Sequence, residues 1–303
     1  MAGIYIHIPF CKHACNYCNF HFTTSLKQID DLVDAICVEI VQRKEAWQNE
    51  IFETIYFGGG TPSLLTENHL TKILTVIHKN YTITLKELTL ECNPDDVNKV
   101  NLKNWYQLGI NRLSMGVQSF FDEDLQWMQR SHTSKQTFNA LDLIQISDIK
   151  LLTIDLIYGT PTLSNQNWLF NLDQIKKYNI PHFSAYNLTV EENTMLHKSI
   201  QQNRTAMPSE DLAIEHFNTL QNFIENTAYE QYETSNFSLP NYEAMHNSNY
   251  WKGIAYIGLG PSAHSYHSNK RSTNIANNNI YIRNINNNVS FSEIGRASCR
   301  ERV

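Results

Sequence analysis

The sequence predicts an α/β fold: a partial (β/α)6 TIM-like barrel followed by a C-terminal α+β extension. Three observations carry that expectation. Runs rich in β-branched and aromatic residues alternate with stretches of helical period, the pattern of βα units feeding a parallel sheet. The stretches between the runs are long enough for right-handed crossovers. Polar residues close successive apolar runs, and in barrels the C-terminal strand ends are where ligands bind. A doubly wound open sheet shares the periodicity, but the polar strand ends favour the barrel.

The first strand is expected at Gly3–Ile8, where GIYIHI is stopped by Pro9, a residue that cannot donate to a ladder. A long helix follows over Leu26–Trp47, with Leu32, Val33, Ile36 and Ile40 in amphipathic register. Strand Glu53–Phe57 runs into Gly58-Gly59-Gly60-Thr61-Pro62, and helix Glu67–Lys79 leads to strand Glu87–Cys92, closed by Glu91 in TLECNPDD. Helix Leu102–Leu108 precedes strand Arg112–Val117, which ends at Gln118. Helix Ser134–Ile146 precedes strand Leu151–Ile157, which contains Asp155, and helix Gln166–Tyr178 precedes a sixth strand at His182–Val190.

Composition narrows the function classes. With 303 residues, 42% hydrophobic and 18% charged, the chain reads as one large globular domain with a small appendage,. A net charge of −6 without a basic stripe argues against a nucleic-acid partner,. Neither a run of eighteen apolar residues nor a charged leader with a cleavage site is present, so no membrane span or signal peptide is expected and the cytoplasm is the expected compartment. Of six cysteines, Cys11, Cys15 and Cys18 are bunched, while Cys37, Cys92 and Cys299 are scattered. That distribution points to ligation in a reducing compartment. Cys37 reads as a small core residue, and Cys92 faces away from Glu91 on its strand.

The bunched cysteines form C-x3-C-x2-C in YIHIPFCKHACNYCNF. Three thiolates offered to the four irons of a [4Fe-4S] cluster leave one iron open to chelate a small molecule. A zinc site using the three cysteines and one of His7, His13 or His21 is the competing reading. The glycine triplet lets backbone approach a ligand closely, although an isolated triplet is also a flexible turn. Glu91, Gln118 and Asp155 are polar within apolar runs, where unpaired groups are costly, and as inward residues at strand ends they converge on one cavity. Arg130, in the turn QRSH, could fix a carboxylate bidentately, or lie on the surface.

YIHIPFC, GGGTP, LECNP, GVQSF and IDLIYG together resemble the coproporphyrinogen III dehydrogenase-like branch of the radical S-adenosylmethionine (SAM) superfamily, over about Gly3 to Tyr266. The resemblance implies a [4Fe-4S] cluster on Cys11, Cys15 and Cys18, with SAM on its open iron. It implies Tyr5 and Tyr17 flanking cluster and SAM, Gly59, Gly60 and Thr61 at the methionine end, and Glu91, Gln118, Arg130 and Asp155 around the carboxylate, ribose and adenine. Phe20 stands where the decarboxylases of the branch carry a further cysteine, as it does in the HemW-type heme chaperones.

His246-Asn247-Ser248-Asn249-Tyr250-Trp251 adds a second mark of that group. From the residues alone this stretch reads as a turn with an exposed imidazole. The resemblance makes His246 the leading heme-ligand candidate, with His264 and His267 next. The implied function is heme binding and transfer to an acceptor protein, such as a respiratory one, with a homodimer as an option and an electron donor required if SAM is cleaved. The alternative is an oxygen-independent coproporphyrinogen III dehydrogenase in porphyrin biosynthesis.

The expected organisation is a barrel over 1–190, an extension over 191–293 carrying HNSNYW and lacking a further C-terminal domain usual in the family, and a tail over 294–303. The tail, IGRASCRERV, has three arginines in ten residues and reads as vector- or assembly-derived sequence,. The asparagine-rich stretch Asn274 to Val289 is expected to be a loop between short strands or poorly ordered.

Overall fold

The computed structural model describes residues 1–289 and the strand at 292–296. Residues 290, 291 and 297–303, Cys299 among them, lie outside the described residues. The first part of the chain runs β1 (Ala2–Ile8), α1 (Ile29–Arg43), β2 (Ile51–Gly59), α2 (Glu67–Asn80), β3 (Thr82–Cys92), α3 (Lys99–Gln107), β4 (Arg112–Gln118), α4 (Asp122–Trp127), α5 (Ser134–Gln145), β5 (Leu151–Tyr158), α6 (Asn165–Lys177) and β6 (His182–Asn187). All six strands pair in parallel with their sequence neighbours, giving the expected partial barrel, open between its edges.

The alternation of side chains along each strand builds the barrel wall. Ile4, Ile6, Ile8, Ile55, Phe57, Leu88, Leu90, Leu113, Met115, Ile154 and Leu156 are all buried in one apolar core with the helices, each contributing on the order of 1.5–3 kcal/mol by leaving water. The intervening positions share the other face in register: Gly3, Tyr5 and His7 on β1, Thr54, Tyr56 and Gly58 on β2, Glu87, Thr89 and Glu91 on β3. Parallel strands covered on both faces ordinarily read as unbroken apolar runs. Here polar residues recur with period two, because one face lines a polar lumen.

The remainder comprises α7 (Met195–Gln201), α8 (Glu210–Glu225), β7 (Glu230–Gln231), β8 (Asn236–Ser238), α9 (Met245–Trp251), β9 (Ala255–Leu259), β10 (His264–His267), β11 (Lys270–Thr273), α10 (Asn278–Asn286) and β12 (Ser292–Arg296). These strands continue the barrel sheet at both edges. β8 pairs antiparallel with β6, and β9 pairs parallel with β1, giving one twelve-stranded order β12-β11-β10-β9-β1-β2-β3-β4-β5-β6-β8-β7. The expected boundary at 190/191 therefore cuts across a shared sheet, and β12 spans the one at 293/294.

Four expectations need correction. The sixth strand stops at Asn187 instead of Val190, since Leu188 turns away to pack with Leu125, Met128, Ile157 and Leu196. The first long helix begins at Ile29 and tightens into a 3-10 turn over Lys44–Trp47. The asparagine-rich stretch is neither loop nor strand over 278–286. Asn277 caps α10 by accepting the Ile280 N–H, and Tyr281 and Ile285, one turn apart, are buried, so capping and an i, i+4 apolar pair outweigh poor helix propensity. The HNSNYW segment is the helix α9, with a buried imidazole instead of an exposed one.

Glu39 on α1 clasps the C-terminal elements to the barrel. It is fully buried, and its Oε1 accepts from Arg43 Nη1 at 3.0 Å and Asn274 Nδ2 at 2.9 Å. Its Oε2 accepts from Gly260 N at 2.9 Å and the Tyr281 hydroxyl at 2.5 Å. Removing one partner of such a buried network leaves the rest uncompensated. Glu39→Ala is expected to lose about 3–5 kcal/mol in denaturant unfolding, whereas a loss under about 1 kcal/mol, the scale of a surface pair, would show that the clasp carries no weight.

Candidate functional site

The loop after β1 is held in shape by its backbone. Thr23 N donates to Pro9 O at 2.8 Å and Cys11 N to Thr23 O at 3.0 Å, so the cysteine segment closes on itself. Asn16 Nδ2 donates to Trp127 O at 2.6 Å, and Leu196 N donates to Asn16 O at 2.8 Å, docking the loop on α4 and α7. Lys12 pairs with Asp95 at 3.0 Å and with Asp96, tying the loop to the turn after β3.

This loop walls one side of a cavity of about 360 Å³, within the range of small-molecule sites. Cys11, Cys15, Cys18 and Tyr17 line it together with Gly59, Gly60, Thr61, Glu91, Gln118, Arg130 and Asp155. The structure thus brings together, at the C-terminal strand ends, eleven of the twelve residues singled out in the sequence for cluster and SAM. Tyr5 is not among the lining residues. It lies deeper, its hydroxyl 3.1 Å from His7 Nδ1.

The glycine triplet is fitted to this spot. Gly59 has φ +112°, and a Cβ on Gly60 would lie 2.6 Å from Phe10 O and 3.0 Å from Cys11 Sγ, so any side chain would push the triplet off the cysteine loop. Glu91 fixes it from below, accepting from Gly59 N at 3.0 Å with Oε2 and from the Tyr56 hydroxyl at 2.8 Å with Oε1. Burial pushes the Glu91 carboxyl up to about 7, against the lowering effect of the Tyr56 hydrogen bond, with the charge of Asp155 adding to the rise. Burial likewise raises Asp155 to about 6, moderated by its hydrogen bond with Ser184. Two such carboxyls in one cavity suit a ligand carrying positive charge, which would keep both ionised.

Arg130 faces the thiols. Its Nη1 donates to Cys15 Sγ at 3.3 Å, and its Nη2 donates to Asn93 Oδ1 at 2.6 Å and Gly116 O at 2.8 Å. Its Nε and the Oε1 of Gln118 are buried without a hydrogen-bond partner among the described residues, and Gln118 is held at φ +64°. Orphaned polar atoms of this kind normally have a water or ligand to answer them.

Burial acts directly on the thiols. Burial pushes the Cys11 thiol up, offset in part by a hydrogen bond with Thr61, and pushes Cys18 up to about 11; metal ligation deprotonates such thiols and releases their protons. Among the described residues no three His, Cys, Asp or Glu side chains converge tightly enough for a single metal ion. Of the histidines the zinc reading requires, His7 Nε2 is engaged with His21 O at 2.9 Å and His21 Nε2 with Asn278 Oδ1 at 2.8 Å, while His13 is exposed at the cavity rim.

The runner-up heme candidates are not among the residues that line the cavity. His264 opens β10, and His267 packs on Trp47 at 4.5 Å with its Nε2 3.4 Å from Glu50. His246 is enclosed at the opposite end of the barrel and is treated below. Sequence reasoning missed Asn93, Ser114 and Tyr186, which line the same cavity. Asn93, two residues after Glu91 within the quoted LECNP, bridges Arg130 to Thr61 Oγ1 at 3.3 Å and was legible in principle. Ser114 and Tyr186 carry no signal beyond the period of two.

A pattern described as the radical SAM superfamily matches residues 5–175, and the chain belongs to that superfamily. Within it the chain is of the HemW type. It is 31% identical over 285 residues to a protein named heme chaperone HemW from Bacillus subtilis, covering 93% of this chain and 75% of the relative. It is 33% identical over 265 residues to heme chaperone HemW of Escherichia coli, covering 86% and 69%. The solved structure of coproporphyrinogen III oxidase (HemN) from Escherichia coli, titled a radical SAM enzyme, superposes with a TM-score of 0.85 over 96% of this chain and 71% of that one, at 22% identity, a likeness of fold.

The raised Glu91 carboxyl gives a signed expectation. A group held near 7 when folded, against 4.5 ordinarily, binds more protons in the folded state, so its contribution to stability is lost as pH rises from about 4.5 through about 7. Glu91→Gln has no such loss. The melting temperature of the variant relative to the wild type should rise between pH 5 and pH 8 in the ligand-free protein, and a constant gap would show that Glu91 titrates normally.

Proposed function

We propose that the chain binds a SAM-chelated [4Fe-4S] cluster in the strand-end cavity, binds heme, and hands heme to an acceptor protein. Cys11, Cys15 and Cys18 would hold the cluster. Tyr17, Gly59, Gly60, Thr61, Glu91, Gln118, Arg130 and Asp155 would hold SAM, with Tyr5 supporting them from below. Bound there, the cluster would supply an open iron for chelation and one-electron chemistry.

The chain's own residues have separable tasks in this reading. The Gly59–Gly60 backbone presents its peptide groups without side-chain obstruction, and the Glu91 and Asp155 carboxylates answer positive charge on the ligand. The unpartnered Gln118 Oε1 and Arg130 Nε offer the acceptor and donor that the fold leaves unused. Loss of Arg130 would also uncouple the Cys15 loop from β4.

The observation that carries the choice of heme handling over decarboxylation is Phe20. It is 67% exposed and lines the cavity mouth, at the place where the decarboxylases of the branch carry a further cysteine. A phenyl ring offers neither thiolate nor proton transfer, whereas an exposed aromatic ring at the rim can lie against a flat apolar ligand. The names of the HemW relatives support the same reading.

Three measurements test it. Anaerobically reconstituted protein titrated with heme should saturate at about one heme per chain, and the same protein given coproporphyrinogen III, SAM and reductant should release no carbon dioxide. Absence of saturable heme binding, or SAM-dependent decarboxylation, would overturn the proposal. Replacing any one of Cys11, Cys15 or Cys18 by Ser should abolish the iron–sulfur absorption; retention of full iron and sulfide in all three variants would remove them as ligands.

A further inference from the structure

His246 occupies the far end of the barrel from the cysteines. Its ring is 2% exposed and lies over the N-terminal ends of the strands, with Nδ1 2.8 Å from Thr54 Oγ1 and Nε2 2.8 Å from the Tyr250 hydroxyl. Both nitrogens are therefore engaged, and neither has a free lone pair or proton facing solvent. A Cβ on Gly3 would lie 2.9 Å from Thr54 Oγ1 and 3.1 Å from His246 Cε1, so the first strand is cut back to make room for the imidazole. Thr54 and Gly59 are five residues apart on β2, roughly 16 Å along the strand, which separates His246 from the cysteine loop.

The helix carrying His246 is fastened from within the lumen. Glu87 Oε1 accepts the His246 N–H at 2.8 Å, and its Oε2 accepts the Met245 N–H at 3.0 Å and Arg112 Nε at 2.9 Å. Arg112 Nη2 in turn donates to the carbonyls of Tyr242 and Glu243, each at 3.2 Å. Swinging the His246 imidazole out to meet an iron would break its bonds to Thr54 and Tyr250, and moving the helix with it would leave the Glu87–Arg112 pair with a vacant side in a buried setting, which is costly.

What His246 does touch leads towards the cavity. Its ring stacks on Tyr56 at 5.2 Å, the Tyr56 hydroxyl donates to Glu91, and Glu91 accepts the Gly59 N–H. We propose that His246 is a positioning residue for the SAM site and not a ligand of heme iron. With Tyr250 it closes the lumen and holds Tyr56 against Glu91, the carboxylate that fixes the glycine triplet. The SAM half of this inference rests on the cofactor reading given above, whereas the exclusion of His246 from heme ligation does not.

The test uses the full chain, reconstituted anaerobically, with SAM affinity and heme spectrum read separately. His246→Gln removes the ring stack, and Tyr56→Phe keeps the stack but removes the hydroxyl from Glu91. Outer-shell losses of this kind weaken ligand affinity by about tenfold or more, so both variants should bind SAM about tenfold more weakly while heme stoichiometry and the axial-ligand bands match the wild type. Unchanged SAM affinity in either variant, or an altered heme axial-ligand spectrum in His246→Gln, overturns the proposal. If the wild type takes up no heme, heme handling fails while the SAM titrations still decide the positioning role. Should His246→Gln not fold, amide exchange on the wild type decides the ligand question: α9 amides stay protected when heme is added, and loss of their protection would show the helix releasing His246.

Discussion

Everything in this barrel depends on answering the polar side chains that face its lumen. The strands turn an apolar face to the helices and place Glu87, Glu91, Arg112, Asp155 and His182 on the other. Charges buried in that way must be paired or neutral. At the N-terminal end Glu87 meets Arg112 and two α9 amides, so α9 is present because the lumen needs it. At the C-terminal end Glu91 and Asp155 share a cavity with Arg130, and their carboxyls are held well above the usual range by burial.

The two ends are finished differently. Glu87 and His246 spend their side-chain hydrogen-bonding atoms within the protein, whereas Gln118 Oε1 and Arg130 Nε have no partner among the described residues. Thr89 Oγ1 and His182 Nδ1 are unpartnered elsewhere in the lumen, but of the buried atoms without a partner only those of Gln118 and Arg130 belong to residues that line the cavity with the thiols, where a water or ligand would answer them. Tyr56 joins the ends, stacking on His246 below and bonding to Glu91 above. The Glu39 clasp performs a similar task outside the lumen, fastening Gly260 after β9, Asn274 after β11 and Tyr281 of α10 against α1, while Arg43 reaches Ser265 on β10.

Much of this was legible in the residues. The polar Glu91 and Asp155 within TLEC and TIDLIY pointed to one cavity, Pro9, the glycine triplet and Gln118 marked strand ends, and Arg130 was placed in the turn that follows α4. Less legible was anything fixed by distant partners. HNSNYW reads as a turn because Asn disfavours helix interiors, yet Glu87, some 160 positions away, converts it into a helix with a buried imidazole. The asparagine-rich stretch near the C-terminus misled for the same reason: its helix is secured by Tyr281 reaching Glu39, a contact no local window contains. Tyr5, read as a neighbour of the cofactor, sits one layer deeper, because side chains two apart on a strand share a face but not a depth.

The central claim is that the three thiols and the polar upper lumen form one cofactor site while His246 belongs to the barrel's closed end. A crystal structure of the anaerobically reconstituted protein with SAM, together with an anomalous difference map at the iron edge, tests it directly. The account predicts cluster density facing Cys11, Cys15 and Cys18, SAM density between the glycine triplet and Asp155, and His246 still bonded to Thr54 and Tyr250. A single metal held by the thiols and a histidine, or an iron bonded to His246, would contradict it.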